Sequence, residues 1–435
     1  MYFPVALPET MVTRGGKSML RRHSLLCASI TSLLFVLTAL PIFANGQKES
    51  SSSSSGPITL TYMDYWAADP ANSAMKAYIA KFEAANPNLK IERTSVPFGS
   101  LLPKALQEAS SHSLPDILML DNPQLQDFAS TGALAPLDSF TTIDKSQYFP
   151  GPLSTVTYNG KLYGLPVGNN DLAIFYNKTM FKQANLTPPK TWEELLADAK
   201  ALTSGNTYGF AFSAPTTEEA TWQFEPFLWT AQGDLQTIGD PQAISALNLW
   251  VTMIKNGWAS KSVINWSQND VEKQFELGHA AMMENGPWNL PLLRKSTVDY
   301  GIVPIPVPKA GMVPVAPLGG EVFTIPVSNV NREKEAWKFV QMLQVPENLV
   351  AVNKAMGYIP AYIPAAKQLV AEDPQLQVFM DELKTGRART NILGQNYPKV
   401  SEIVWNAIQS ALVGTATPEA AFKQAQQQVN QALGK

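Results

Sequence analysis

The 435-residue sequence predicts an α/β protein built as two lobes. Strand and helix patterns alternate from Ile58 to Asp121, and the chain past its leader is longer than one hydrophobic core usually serves. A third observation points to a cleft between the lobes. Five of the ten tryptophans, Trp66, Trp222, Trp229, Trp288 and Trp405, lie beside Pro, Gly, Asn, Gln, Asp or Glu near expected segment ends. Indole faces stack on the C–H faces of sugar rings while neighbouring amides and carboxylates take the hydroxyls; the same rings also fill cores.

Residues 1–44 read as a signal peptide. Arg21-Arg22 precede an apolar run from Leu25 to Phe43, and Ile42-Phe43-Ala44 ends on a small residue. Met19 is the expected true start, because residues 1–18 lack apolar periodicity. An uncleaved anchor is the alternative, since the run approaches the roughly 20 residues that span a bilayer. The only cysteine, Cys27, lies inside this leader, so a cleaved chain has no thiol, no disulfide and no Cys-ligated metal. Residues 45–56, with Ser50 through Ser55, cannot bury anything and read as a flexible tether. Cleavage after Ala44 leaves 435 minus 44, or 391, residues. Loss of Glu9, Arg14, Lys17, Arg21 and Arg22 takes the formal charge from −3 to −6, which argues against nucleic acid or an anionic membrane as partner.

The elements follow in order. Ile58, Leu60 and Tyr62 alternate with Thr59 and Thr61, a strand that ends near Asp64-Tyr65-Trp66. Met75, Tyr78, Ile79 and Phe82 recur at helical spacing until Asn86-Pro87, and a second strand runs from Leu89 to Val96. Asp116 to Asp121 reads as a third, buried strand. In open α/β sheets ligands sit beyond the carboxyl ends of the strands, where Trp66, Asp121 and Asn122 fall. Asn159-Gly160 marks a hairpin turn, and Pro166-Val167-Gly168-Asn169-Asn170-Asp171 reads as a polar loop before the strand Ala173–Tyr176. Such a loop either touches a ligand or is simply solvated. Thr191-Trp192-Glu193-Glu194 has capping-box spacing and opens a helix. Trp192, Trp250, Trp258 and Trp337 belong to helical patterns and are assigned to packing, while Trp266 is left undecided. Val303 to Pro317 carries five prolines, too donor-poor for a central strand and suited to a crossing between lobes.

The chemistry is sparse. His112 and His279 stand far apart with no companion ligand at metal spacing, and no phosphate loop, dinucleotide fingerprint, HExxH or GxSxG pattern occurs, so no metal and no cofactor are expected. A glycosidase needs only two carboxylates, but the sequence shows no run of eight strand–helix units. The positive signal is polar-aromatic. In Trp222 to Trp229, Trp222, Glu225 and Trp229 share a helical face, placing a carboxylate between two rings. Met282 to Asn289 passes from a buried strand through Gly286-Pro287 to Trp288 at a helix start.

Several of these stretches are similar to one family. Leu114-Pro115-Asp116-Ile117 with Leu120-Asp121-Asn122-Pro123, Tyr163-Gly164-Leu165-Pro166, Ile174 to Lys178, Glu225-Pro226-Phe227, Asn285-Gly286-Pro287-Trp288 and Trp405 to Ala411 resemble, in that order, the extracellular solute-binding proteins of ABC sugar importers. The resemblance implies a two-lobe periplasmic-binding-protein fold of type II, with lobes at roughly 57–168 with 316–365 and 169–315 with 366–435, hinging shut on a sugar. It implies no catalysis. By it, Trp66, Asp121, Gly320 and Glu321 line one wall, and Asn169, Asn170, Asp171, Glu225, Trp229, Trp288 and Trp405 the other. Asn122, Trp222 and Arg389 complete the candidate set, Arg389 having a loose counterpart in some relatives. Phe227 stands where maltose-binding protein has a tyrosine, which removes a hydroxyl. The expected partners are a sugar or oligosaccharide and the transmembrane permease, the protein being an exported monomer, periplasmic or at the cell surface. Two alternatives stand beside this one: a secreted carbohydrate-active enzyme and a tethered adhesin.

Overall fold

The computed structural model describes residues 57–383 and 386–435. The leader, with Met19 and Cys27, and the serine tether lie outside the described residues. The chain opens with β1 (Ile58–Asp64), β2 (Leu89–Ser95) and β3 (Ile117–Asp121), separated by the helices Ala71–Ala85 and Phe98–Ser110. β1 pairs in parallel with both β2 and β3. The first helix buries Met75, Tyr78 and Phe82, the stripe that its spacing predicts. A small hairpin of β4 (Thr157–Tyr158) and β5 (Lys161–Leu162) turns at Asn159-Gly160, both with positive φ.

The next segment departs from expectation. Residues 164–170 form β6 (Gly164–Asn170), a strand buried at every position, where the sequence reads as a polar loop. β6 lies between two antiparallel partners. Asn169 Nδ2 donates to the Ile359 carbonyl at 3.2 Å. At Gly168 a Cβ would fall 2.1 Å from Asn353 Oδ1, so only glycine lets the neighbour approach. Leu165 and Val167 pack into the core, and backbone pairing with close approach holds Gly168, Asn169 and Asn170 inside.

The chain continues through β7 (Ala173–Asn177), β8 (Tyr208–Ala211), β9 (Ala280–Asn285), β10 (Tyr300–Val303), β11 (Pro317–Thr324), β12 (Ile359–Pro360) and β13 (Arg387–Ala388). Among the described residues, a seven-stranded sheet has the order β12-β6-β11-β3-β1-β2 with β13 beside β11, and a four-stranded sheet has the order β10-β7-β9-β8. Each sheet centres one lobe. The chain changes sheets at Asp171-Leu172, and again in the proline-rich stretch 304–316, as its composition predicts. The first change falls just past the expected 168/169 boundary. Within 366–435, Phe379 packs its ring 6.2 Å from Phe175 of β7, while Ala388 on β13 pairs with Leu318 of β11.

Period-two alternation divides the cores. Ile174 and Met282 face the second core, with the helices Pro241–Lys255 and Tyr397–Val413, whereas Phe175 and Met283 face the first. Trp250 is fully buried against Phe212, Phe224 and Phe227, and Trp192 sits in the same core. Trp337 stacks on Phe140, while Trp258 and Trp266 are partly buried against the cores. Thr191 and Glu194 form the reciprocal capping box.

β11 carries a tight backbone position near the cleft. Gly320 has φ +135, and a Cβ there would fall 2.1 Å from the Gly168 carbonyl oxygen. Gly320→Ala is expected to destabilise the fold by about 1–3 kcal/mol from backbone strain alone, read as a lower urea midpoint. A midpoint equal to that of the unaltered protein would contradict this packing.

Candidate functional site

A cavity of about 240 Å³ opens between the two sheets. Its first wall comes from strand ends. Tyr65 and Trp66 follow β1, Asp121 closes β3, Asn170 closes β6, Gly320 and Glu321 sit on β11, and Tyr358 precedes β12. Facing them are Glu218, Glu219 and Trp222 from the first two turns of the helix Glu218–Thr230, Gln268 and Asn269, and Trp288 beyond β9. Phe98 completes six aromatic rings. Trp288 meets Tyr358 edge-on, ring centres 6.5 Å apart. Sites of this kind, at carboxyl ends of strands with rings and a few aimed polar groups, hold small neutral or weakly charged solutes.

Arg389 organises the polar side. Its Nη1 donates to Asp121 Oδ2 and to Glu218 Oε1, each at 2.9 Å, and its Nη2 bonds Asp121 Oδ1 and Asn122 Oδ1. The guanidinium lies 4.5 Å over the Trp222 ring. Tyr397 and Ser401 hydroxyls donate to Glu218 from behind. Burial pushes Glu218 above the usual carboxylate range, against the pull of Arg389.

Glu321 is differently placed. The Tyr65 and Tyr358 hydroxyls both donate to its Oε1, at 2.8 and 3.0 Å, while its buried Oε2 has no partner. Burial pushes it up to about 8; the two hydroxyls work against that rise and Asp121 adds to it. Three donors are also unsatisfied around the cavity: Trp66 Nε1, Gln268 Nε2 and Arg389 Nε. Buried polar groups without partners are costly, so these four atoms are where the empty fold leaves hydrogen bonds unmade beside the cavity.

Of the fourteen residues expected from sequence, eight line the cavity: Trp66, Asp121, Asn170, Trp222, Trp288, Gly320, Glu321 and Arg389. Six do not. Asn122 stands behind Arg389 and donates to the Leu318 carbonyl, and Asn169 is spent on the β12 backbone. Asp171 is fully buried at the change of sheets, raised well above its ordinary range by burial and then by Glu382. Glu225 is also fully buried, its Oε1 2.9 Å from the Tyr397 hydroxyl oxygen behind the Arg389 layer. Trp229 lies under Arg387, and Trp405 packs half-buried against the second core. The Trp222–Glu225–Trp229 face misled because Ala220 to Thr230 is buried on all sides, so helical spacing selects no face. Tyr65 and Tyr358 were missed; only the adjacency of Tyr65 to Trp66 could have marked the first. No group of three His, Cys, Asp or Glu among the described residues is placed to hold a metal ion.

Comparison with known proteins gives this cavity a context. The family model described as bacterial extracellular solute-binding protein matches residues 77–378. A binding protein of Brucella abortus is 28% identical over 391 residues, covering 86% of this chain and 93% of that one. The crystal structure of an ABC transporter solute-binding protein from Thermotoga lettingae, bound with alpha-D-tagatose, is similar with a TM-score of 0.79 at 28% identity, over 86% of this chain and 100% of that one. A cyclic alpha-maltosyl-1,6-maltose binding protein from Arthrobacter globiformis is similar with a TM-score of 0.71 at 27% identity, over 87% and 99%. A chain of two sheets with a ring-lined cavity between them, matched by that family over most of its described length, belongs to the bacterial extracellular solute-binding proteins.

Proposed function

We propose that this protein is the substrate-binding subunit of an ABC importer, capturing a sugar or short oligosaccharide between its lobes and delivering it to a membrane permease. The observation that carries the reading is the cavity itself: six aromatic rings, four unsatisfied polar atoms and walls from both sheets. The Thermotoga and Arthrobacter relatives, named for a bound tagatose and a cyclic maltosyl-maltose, support a carbohydrate. On this reading the protein is exported, acts in the periplasm or at the cell surface, and does no chemistry on its solute. Among the described residues no helix is long and apolar enough to cross a membrane.

Closure supplies the coupling. Contacts to both walls favour the closed state, and the chain segments at Asp171-Leu172 and 304–316, where it changes sheets, serve as hinges. The lobes divide near those crossings and near Arg389. A carrier that must release its cargo suits micromolar affinity, about −8 kcal/mol. Stacking contributes about 0.5–1.5 kcal/mol per ring beyond area burial.

Three outcomes follow. A screen of mono-, di- and trisaccharides by thermal shift is expected to yield a hit that also quenches tryptophan emission saturably and releases no reducing sugar; turnover would instead establish the glycosidase reading, and no response to any sugar the adhesin one. With such a hit, Trp288→Ala is expected to weaken binding at least tenfold by calorimetry while the far-ultraviolet circular dichroism stays unchanged, whereas Trp405→Ala leaves affinity within about threefold. Undiminished affinity in Trp288→Ala would sink the placement of that ring.

The third outcome concerns pH. Because burial raises Glu321 to about 8 in the folded chain, the folded state binds more protons than the unfolded one between roughly pH 4.3 and 8, and stability falls as pH rises through that window. Glu218 and Glu225 are raised by burial in the same direction. The solute-free protein is therefore expected to melt higher at pH 5.5 than at pH 8 by calorimetry at fixed ionic strength, and Glu321→Gln is expected to reduce that difference. A higher melting temperature at pH 8 would contradict the buried acids.

A further inference from the structure

Asp121 and Glu321 stand directly opposite each other on β3 and β11, and both line the cavity. Two ionised carboxylates in that register would oppose strand pairing, so the pair requires that one of them be neutralised, by a proton or by a cation. Arg389 answers Asp121 and Glu218 together, one cation against two carboxylates. Nothing cationic answers Glu321. Among the described residues the cavity lining holds five carboxylates, Asp69, Asp121, Glu218, Glu219 and Glu321, and a single basic side chain, Arg389. Asp69 is taken by Ser73 at the start of its helix, and Glu219 by the Ser213 hydroxyl and the Gln268 backbone N–H. Glu321 alone is 2% exposed with an oxygen facing no partner.

From this arrangement we infer that the captured solute carries a protonated nitrogen, an amino sugar or a short oligosaccharide containing one, seated with its ammonium against Glu321 Oε2. The inference rests on the sugar-binding reading and names the class within it. An ammonium offers three donors and no acceptor, and Oε2 is an acceptor once Glu321 is ionised. Tyr65 and Tyr358 hydroxyls on Oε1 fix the carboxylate, and Trp288, edge-on to Tyr358, lines the same cavity. The charge excess also rejects phosphorylated or acidic sugars, which would meet unpaired carboxylates in a buried site.

Proton balance makes the event observable. In the empty cavity burial holds Glu321 largely protonated at neutral pH. As the ammonium docks, the Glu321 proton leaves to solvent and the ion pair forms in its place, so an amine is captured with net proton release and a neutral sugar without it.

The test uses the full chain and matched pairs: glucose with glucosamine, galactose with galactosamine, and cellobiose with the β-1,4-linked glucosamine dimer. Titration calorimetry at about pH 6.5, in two buffers of different ionisation enthalpy, reads affinity and proton release together. The amino member of the pair that binds is expected to bind at least tenfold more tightly, with proton release, and Glu321→Gln to erase both. Neutral members that bind as tightly or more tightly would overturn the ammonium seat while leaving the sugar reading intact. A preference that survives Glu321→Gln would overturn it as well. Failure of every member to bind would overturn this inference, and the wider screen of mono-, di- and trisaccharides then decides the sugar reading by itself.

Discussion

The Arg389 guanidinium, buried between Asp121 at the end of β3 and Glu218 at the start of the helix Glu218–Thr230, joins the first sheet to the second core by charge-assisted hydrogen bonds. Replacing such a buried group leaves uncompensated charges at a cost of about 3–5 kcal/mol, so the pairing constrains everything packed around it. Trp222 is held flat beneath the guanidinium, and Asn122 is turned toward it. Tyr397 and Ser401 are drawn onto Glu218 from the next helix. The cavity wall opposite Trp66 and Glu321 is thus shaped by one cation that bridges both halves of the cleft.

A consequence is that the polar groups divide into two sets. Asp121, Glu218, Asn122 and Arg389 Nη atoms are mutually satisfied and serve as scaffold. Glu321 Oε2, Trp66 Nε1, Gln268 Nε2 and Arg389 Nε are left with unmet hydrogen bonds at the cavity. An interior that satisfies some groups so fully and leaves others open fits binding better than stability, since each open group costs the empty fold and is recovered when a solute fills the space.

Much of this was legible in the sequence, and the limits have physical causes. Alternation at Leu60 and Tyr62 and helical spacing at Met75, Tyr78 and Phe82 report buried faces, although Ile58 at the start of β1 is exposed, and the strand ends put Trp66 and Asp121 beside one cavity. The capping box at Thr191 and the proline-rich change of sheets were equally local signals. β6 was not legible because Gly168, Asn169 and Asn170 are buried by backbone pairing, and periodicity records side chains alone. The helix Glu218–Thr230 is enclosed on every side, so its spacing put Glu225 and Trp229 beside Trp222, although only Trp222 reaches the cavity. Trp405 is the opposite case: partly buried on its helix, it has site-like neighbours in sequence yet packs against the second core. Tyr358 reaches the cavity through the left-handed turn at Gly357 that ends its helix, a tertiary placement with no pattern of its own.

The central claim is that one solute is enclosed between the two sheets, in contact with both. A crystal structure of the protein with the sugar that binds in solution tests it most directly. The account predicts density for a single carbohydrate in the cavity, a ring stacked on Trp288 or Trp66 and a polar group within hydrogen-bond distance of Glu321. Density confined to the outer surface, or touching only one wall, would contradict it.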